Sequence, residues 1–351
     1  MTCSVAWRAR WFVLLVALLV ALAGCSRPQL FHQEAYVFGT RVDLTVYGVT
    51  LNDAETAMGA VLREFDRIHH AYHAWQPSEL TRLNEALAQG QSYDVSEELA
   101  ELLRDVRELA AMGDHLFDPA LGGLIELWGF HDDEFEPRLP DEDAVAALLA
   151  ANPRMSDVRI DGTVVSSDNP AVQIDLGGYA KGFALDRAAI ILRHHGLEDA
   201  LINIGGNIMA MGSKGGTPWR VGVQHPQEPR PLATMPLYDG EAIGTSGDYQ
   251  RFFEIDGQRF SHLLDPRTGR PATGTQSLTV LITPREAAGT WSDAASKAPF
   301  IADDDAWRDY LRRYDIDHAL RVATDGTIEV TRELRARLQI PSGIGPVTVI
   351  D

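Results

Sequence analysis

Near the middle of the chain, one stretch changes character within ten residues: Gln173-Ile174-Asp175-Leu176-Gly177-Gly178-Tyr179-Ala180-Lys181-Gly182. Apolar residues over 172–176 predict a strand, the paired glycines predict a turn, and a helical pattern follows over about 178–194. Glycines before a helix let backbone N–H groups approach an anion, because the helix start carries about half a positive charge. Lys181 in the first helical turn opposes that dipole, which favours a bound anion. The stretch predicts either an anion site or a plain strand-to-helix turn.

The segments on either side of this stretch differ in periodicity. Residues 35–47 alternate like a strand pair, and helical spacing predicts helices over 50–71, 95–112 and 142–151, with another after Pro119. Strand-like segments follow at 201–211, 219–223, 241–245, 252–255, 259–264 and 277–282, with helices near Ala294 and Trp307 and a terminal β pair. This order predicts an α+β fold, a mixed α/β unit with a helical N-terminal half, a β-rich C-terminal half and a ligand cleft between them.

The composition is that of a folded, acidic protein. Of 351 residues, 45% are hydrophobic and 23% are charged, which supports a buried core and argues against disorder. The formal net charge is −19, which excludes nucleic acid as an expected partner, because phosphate backbones need a basic surface. A local phosphate site remains compatible with this charge, since a helix N-terminus, a few cations and a metal ion can supply it.

The first 24 residues have the form of an export signal. Arg8 and Arg10 precede an apolar run, 11–23, that is too short to span a bilayer. Cys25 follows Leu22-Ala23-Gly24 as in a bacterial lipoprotein signal, so we expect a lipid on Cys25 and a location on the periplasmic face of the inner or outer membrane. The alternative is an ordinary signal peptide with an incidental cysteine. The predicted units are a signal peptide (1–24), a tether (25–34), one folded domain (35–340) and a tail (341–351).

Further candidate residues lie in the C-terminal half. Gly205 and Gly206 interrupt a strand pattern, which indicates either a ligand wall or a packing site. His262 ends a strand beside the turn sequence Asp265-Pro266-Arg267-Thr268-Gly269 and is open to a structural or a functional interpretation.

Asp293, Ser296 and Lys297 form the last candidate group. Their spacing puts them on one face of a predicted helix, where an Asp, a hydroxyl and a backbone carbonyl would make an Mg²⁺ site. The alternative is a helix N-cap by Ser292 or Asp293. Since Cys3 and Cys25 are the only cysteines, any metal in the mature chain must be held by oxygen or histidine.

Several motifs, in this order, resemble the ApbE family of FAD:protein FMN transferases, many of which are exported lipoproteins. They are Phe38-Gly39-Thr40, residues 78–84, Phe117-Asp118-Pro119, Leu127-Trp128-Gly129-Phe130, residues 175–182, Asn203-Ile204-Gly205-Gly206, residues 245–249 and residues 261–269. The resemblance covers about residues 34–335. It implies an ApbE-like, T-fold-related domain with FAD in the cleft and Mg²⁺ at its diphosphate.

The resemblance also assigns residues to the site. Flavin contacts would come from Phe38, Trp75, Leu116, Phe117, Asp118, Asp175, Lys181 and Leu263, and metal ligands from the Gly178 carbonyl, Asp293, Ser296 and Lys297. The chain departs from the family here, because the position of Lys297 is often Thr and an ammonium cannot ligate Mg²⁺. Ser296 would compensate, water would fill the gap, or Lys297 would itself supply the positive charge.

The implied reaction is phosphoryl transfer from FAD to a Thr or Ser hydroxyl of an acceptor protein, with release of AMP. The acceptor would be a membrane redox-complex subunit. His262, with an unperturbed pKa of about 6.5, is the expected base, and Asp293 is the alternative base. Two other functions remain open, a metal-dependent FAD pyrophosphatase and a non-catalytic flavin-binding lipoprotein. All three require the Gly178 turn and the Asp293 segment to lie together.

Overall fold

One large sheet organises the fold. The computed structural model describes residues 29–131 and 137–351, so the predicted signal peptide and Cys25 lie outside the described residues. The strands are β1 (Leu30–Val37), β2 (Thr40–Tyr47), β3 (Tyr93–Asp94), β4 (Val158–Asp161), β5 (Val164–Ser167), β6 (Ala200–Ile204), β7 (Asn207–Met211), β8 (Trp219–Gln224), β9 (Pro231–Leu237), β10 (Ala242–Gly247), β11 (Phe252–Ile255), β12 (Gln258–Ser261), β13 (Leu264–Asp265), β14 (Arg270–Pro271), β15 (Thr275–Ile282), β16 (Ala319–Ala323), β17 (Ile328–Thr331) and β18 (Val347–Ile350). The large sheet has the order β1-β2-β6-β7-β10-β15-β16-β17-β18 and is antiparallel except between β17 and β18.

The helices cover one face of this sheet or build the regions around it. They are α1 (Leu51–Ala71), α2 (Glu79–Ala88), α3 (Glu97–Met112), α4 (Gly122–Leu127), α5 (Glu142–Ala151), α6 (Ala180–His194), α7 (Ala288–Ala294), α8 (Lys297–Ile301), α9 (Trp307–Arg313) and α10 (Arg332–Arg335). Thr50 caps α1 by accepting from the Asp53 amide, as its sequence predicts. No helix in 29–131 or 137–351 is long and apolar enough to cross a membrane.

Both faces of the central strands are buried, because successive residues of a strand point to opposite sides. In β15, Leu278, Val280 and Ile282 join the core under the helices, whereas Leu281 joins a second core under the β8–β9 hairpin. A third, smaller core joins α4, α5 and the β11–β12 hairpin, with Leu124, Trp128, Phe130, Val145, Phe253, Phe260 and Leu264. These last elements form a small lobe beside the sheet.

Helices α6 and α7 touch through their backbones. A Cβ atom on Gly182 would lie 2.4 Å from the Gly289 carbonyl oxygen, and one on Gly289 would lie 2.6 Å from the Gly182 carbonyl oxygen. Any larger residue at either position would separate the two helices. This close approach brings Asp293, near the end of α7, against the first turn of α6.

The predicted α+β class is confirmed, but the two halves of the sequence are not two halves of the structure. Strands β1 and β2 from the N-terminal half join the large sheet, and helices from both halves cover it. Strand β1 begins at Leu30, inside the predicted tether, and β18 makes part of the predicted tail a sheet strand.

The predicted strand over 172–176 is not a regular strand. Its residues form an isolated bridge between Gln173 and Leu121, and the side chain of Asn84 bonds both backbone groups of Ile174. The apolar residues over 172–176 are therefore explained by burial and not by pairing with a neighbouring strand. The interruption at Gly205 and Gly206 is likewise a hairpin turn between β6 and β7, with φ values of 58° and 95°.

Candidate active site

A cleft of about 590 Å³ lies between the small lobe and the helix-covered body. Its lining includes every predicted flavin contact, Phe38, Trp75, Leu116, Phe117, Asp118, Asp175, Lys181 and Leu263, together with Gly178, His262, Asp293 and Lys297. Ser296 is the one predicted site residue outside the lining. Sequence motifs that are far apart in the chain therefore meet at one place, although their individual contacts with a ligand remain predictions.

One end of the cleft is lined by aromatic and apolar side chains. Phe38 occupies a tight turn between β1 and β2 at φ 58°, and its ring centroid lies 5.8 Å from that of Phe65. The Trp75 indole donates to Asp175 Oδ2 at 3.0 Å, which fixes the ring beside the Gly177 turn. Planar aromatic surfaces with one polar anchor suit a flat, conjugated ligand.

Asp118 lines the cleft and is also held by several hydrogen bonds within the protein. Its carboxylate is buried, accepts from the backbone amides of Ala120 and Met155 at 2.9 and 3.0 Å, and also pairs with His115. Both oxygens of the Asp118 carboxylate therefore accept hydrogen bonds from groups within the protein. Asp118 therefore shapes the loop that carries Phe117 into the cleft.

Next to Trp75, the polar end of the cleft is the start of helix α6. Gly177 donates its amide to Asp175 at 2.6 Å, and Lys181 Nζ donates to the Gly177 carbonyl at 3.0 Å. Lys181 also lies 3.7 Å from Asp293 Oδ2. The predicted meeting of the glycine turn and the Asp293 segment is thus present, with a cation between them.

Asp293 is the centre of this end. Its side chain is 0% exposed, Oδ2 accepts from the Gly182 amide at 3.0 Å, and Oδ1 accepts from Lys297 Nζ. Burial alone would raise the pKa of Asp293, but the charges of Lys181 and Lys297 outweigh it and hold the pKa below its usual range. The alternative assignment of Asp293 as an N-cap is wrong, because it lies in the last turn of α7.

Lys297 fills the position expected for a metal ion. Its Nζ also donates to the Asp293 carbonyl at 2.6 Å, while the Ser296 hydroxyl donates to the same carbonyl at 2.8 Å. Burial lowers the pKa of Lys297 to about 8 against the opposing charge of Asp293, so the ammonium form predominates at neutral pH. The Asp293 oxygens that would face Mg²⁺ already accept hydrogen bonds from an ammonium group, and this group does not fit beside a divalent ion there. The expectation that Ser296 compensates as a ligand is not supported, since Ser296 contacts Ser246 and Asp293.

His262 also lines the cleft, and the partner of one ring nitrogen identifies its tautomer. Its Nδ1 lies 3.1 Å from the Arg251 carbonyl, which can only accept, so Nδ1 carries the proton and Nε2 is the basic nitrogen. The pKa of His262 falls to about 3, chiefly because the ring is buried. The charges of Arg251, Lys181 and Lys297 lower this pKa further. The expected unperturbed pKa of His262 is therefore wrong, and the ring is neutral throughout the physiological range.

The structure adds cleft residues that the sequence analysis did not assign. Arg251 lines the cleft next to His262, and His73 Nδ1 accepts from the amides of Trp75 and Gln76 at 3.1 Å, which orders the Trp75 loop. Arg251 lies two residues after the end of the motif over 245–249, and this proximity was the available signal. Nothing in the local pattern distinguished His73 from its neighbour His70, which is exposed.

Comparison with known proteins gives consistent matches. The sequence model described as the ApbE family matches residues 38–320. A FAD:protein FMN transferase of Rhodobacter capsulatus is 44% identical over 318 residues, which is 90% of this chain but 60% of that protein. Another, of Vibrio cholerae serotype O1, is 30% identical over 277 residues, covering 77% of this chain and 82% of that protein.

Solved structures show the same similarity over nearly whole chains. The crystal structure of the ApbE protein of Thermotoga maritima has a TM-score of 0.80 and 32% identity, and the match covers 88% of this chain and 99% of that chain. The flavin transferase ApbE from Vibrio cholerae has a TM-score of 0.76 and 25% identity, covering 89% of this chain and 100% of that chain.

Proposed function

The chain belongs to the ApbE family, and we propose that it binds FAD in the cleft and transfers the FMN half to a Thr or Ser hydroxyl of an acceptor protein. One observation carries this proposal: a single cleft joins an aromatic lining near Phe38 and Trp75 to a cationic helix N-terminus at Lys181. FAD has the matching chemistry, since its flavin ring is flat and apolar and its diphosphate is anionic.

The reaction is a displacement at phosphorus. The acceptor hydroxyl oxygen forms a bond to the phosphorus on the FMN side, the bond from that phosphorus to the bridging oxygen breaks, and AMP leaves with the bridging oxygen. Lys181 and Lys297 offset the negative charge that develops on the phosphate oxygens. The protein contributes mainly alignment and fixed charge. No step is assigned to Mg²⁺, because the donor set around Asp293 does not fit it.

His262 is the base in this proposal. The ring lines the cleft and its Nε2 is unprotonated at neutral pH, so we assign to Nε2 the proton that the acceptor hydroxyl loses. A bound diphosphate would raise the pKa of His262, because nearby negative charge favours the imidazolium form. Asp293 is a poorer base, since both its carboxylate oxygens already accept hydrogen bonds from the protein.

The proposal is tested by incubating the purified protein with FAD, with and without an acceptor domain that contains a candidate Thr or Ser. Mass spectrometry should find FMN added to that residue, with AMP released in equal amount. AMP formed at the same rate without the acceptor would favour the pyrophosphatase function instead. FAD that stays bound and intact with the acceptor present would favour the non-catalytic flavin-binding function.

We further propose that the protein is exported and held at the membrane by a lipid on Cys25, where it modifies a membrane redox-complex subunit. The support is the signal-like sequence over 1–24 and the position of Cys25 directly after it. Mass spectrometry of the N-terminal peptide should find a chain that starts at Cys25 and carries a diacylglyceryl group. An unmodified Cys25, or an N-terminus elsewhere, would overturn this part of the proposal.

A further inference from the structure

We propose that the Lys297 ammonium group replaces a divalent cation at the phosphate end of the cleft, so that FAD binds without Mg²⁺. The inference rests on the proposed FAD binding and concerns only how the diphosphate is held. Its central observation is that Lys297 Nζ donates both to the carbonyl and to Oδ1 of Asp293, and Oδ1 is a carboxylate oxygen that a metal ion held by Asp293 would need.

The surroundings of Lys297 fix it in this position. The residue is 8% exposed and begins α8, separated from α7 by Ala295 and Ser296, and its side chain reaches Asp293 at i, i+4 spacing. Gly178 provides the space, because a Cβ atom there would lie 3.4 Å from Lys297 Cε and 3.0 Å from the Phe117 ring. The backbone at Gly178 and the short connection between α7 and α8 therefore leave room for the Lys297 side chain.

A metal ion and this ammonium group would exclude each other. A divalent ion bound to Asp293 Oδ1 would stand within a few ångströms of Nζ, where repulsion between like charges is strong in a site removed from water. Lys181, 3.7 Å from Oδ2 of the same carboxylate, adds a second positive charge. With Asp293 ionised, the three groups keep one net positive charge, which faces the cleft and suits an anion.

The use of lysine at this place is unusual for this chain. Lysine occurs at only three positions in the sequence, Lys181, Lys214 and Lys297, while arginine supplies the remaining basic residues. Two of the three lysines contact Asp293 in the cleft. A compact ammonium group is the basic side chain closest to a metal ion in size and charge concentration, whereas guanidinium is broad and planar.

The test compares the full-length protein with Lys297→Thr, which removes the ammonium and offers a hydroxyl ligand. FAD affinity, followed by flavin fluorescence, should differ less than about twofold for the wild type between EDTA and excess Mg²⁺. The Lys297→Thr variant should lose about tenfold or more in EDTA and recover with Mg²⁺. Lys297→Met, with neither charge nor ligand, should lose affinity under both conditions. Lys214→Thr, at an exposed lysine outside the cleft, is the matched control and should behave like the wild type.

A second measurement does not depend on FAD. Mn²⁺ titration followed by electron paramagnetic resonance should find no ion dependent on Asp293 in the wild type, and one such ion in Lys297→Thr. Subtracting the Asp293→Asn spectrum removes ions held elsewhere, for example by the cluster of His32, Glu34 and Asp43. An Mn²⁺ ion at Asp293 in the wild type, or wild-type FAD binding that is lost in EDTA, would overturn the inference. Absence of FAD binding under every condition would instead overturn the proposed function, and the Mn²⁺ result would still decide the role of Lys297.

Discussion

Two carboxylates at the crossing of α6 and α7 make similar contacts but have different surroundings. Asp186 of α6 accepts from the amides of Gly289 and Thr290 at 2.8 Å each and from the Thr290 hydroxyl at 2.7 Å. Asp293 of α7 accepts from the Gly182 amide at 3.0 Å, so each helix supplies a carboxylate to the first turn of the other. The remaining partners of Asp293 are the two lysines of the cleft.

The pKa values of the two groups shift in opposite directions. Burial raises the pKa of Asp186, and its neutral hydrogen-bond donors offset this only in part. The pKa of Asp293 is lowered, because burial is outweighed by Lys181 and Lys297. Two aspartates in similar backbone settings are therefore distinguished by nearby cations. We conclude that Asp186 joins the helices, whereas Asp293 also organises charge for a ligand.

A pair of alanine variants should show the largest difference between the two aspartates. Asp293→Ala should lower AMP release from FAD by about 10²-fold or more per folded molecule, because the two lysines lose their common anchor. Asp186→Ala should leave that rate within about threefold, since it contacts no cleft group. The rates are measured by chromatography of AMP after correcting for the folded fraction by circular dichroism. Equal losses in both variants would remove the distinction between the two residues.

His262 is a third cleft residue whose pKa depends on the same lysines, since Lys181 and Lys297 lower the pKa of both Asp293 and His262. His262→Ala should slow FMN transfer by about 10²-fold and leave FAD affinity nearly unchanged. Because the pKa of His262 is lowered to about 3, kcat/KM should show no inflection near pH 6.5 from this group. An inflection there that disappears in His262→Ala would contradict the structure, and His194→Ala, at an exposed position, is the control.

Thr290 tests the structural side of the comparison. Thr290→Val removes one of the donors to Asp186 and should lower the free energy of unfolding by about 1 kcal/mol, with little change in activity. Thr56→Val, at an exposed position of α1, should change it by less than about 0.5 kcal/mol. Urea denaturation measures both variants. An equal change in the two would show that the Asp186 contacts contribute nothing specific.

The smallest expected effect is a pH dependence of stability. Because the folded-state pKa of Asp186 is raised, the native protein takes up a proton there before the unfolded chain does. The stability of the wild type relative to Asp186→Asn should therefore rise as pH falls from 7 to about 4, where the unfolded group titrates. Over the same range the difference from Asp293→Asn should stay flat to about pH 5 and then fall, since the lowered folded-state pKa of Asp293 means that the unfolded chain takes up this proton first. Parallel curves for both variants would contradict the opposite shifts.

The sequence predicted the fold well where the spacing of apolar residues depends on local secondary structure. The helix over 51–71 and the strand over 252–255 match their predictions, because amphipathic spacing and alternation act over a few residues. Helix α2 was missed as an element, although residues 78–84 were noted as a motif. The segment over 172–176 was wrong because it is buried between neighbours that are remote in sequence, and periodicity does not distinguish this from strand pairing.

The site was predictable as a set of residues and less so as a set of roles. Spacing identified Asp293, Ser296 and Lys297 as one group, but it assumed a continuous helix, whereas α7 ends before Ser296 and α8 begins at Lys297. The contact between Lys297 and Asp293 still forms at the predicted i, i+4 spacing, but its character as a buried ion pair could not be read from spacing. The pKa of His262 was equally out of reach, because Arg251 and the lysines approach it only in the folded chain.

The early start of strand β1 at Leu30 would limit how far the folded domain could stand from a lipid on Cys25. If Cys25 carries the proposed lipid, the residues between it and Leu30 extend to about 18 Å at most. The edge of the sheet would then remain next to the lipid headgroups. With so short a connection, the protein would meet membrane-bound acceptor proteins by lateral diffusion in two dimensions. It would then modify segments close to the bilayer in preference to sites held far above it.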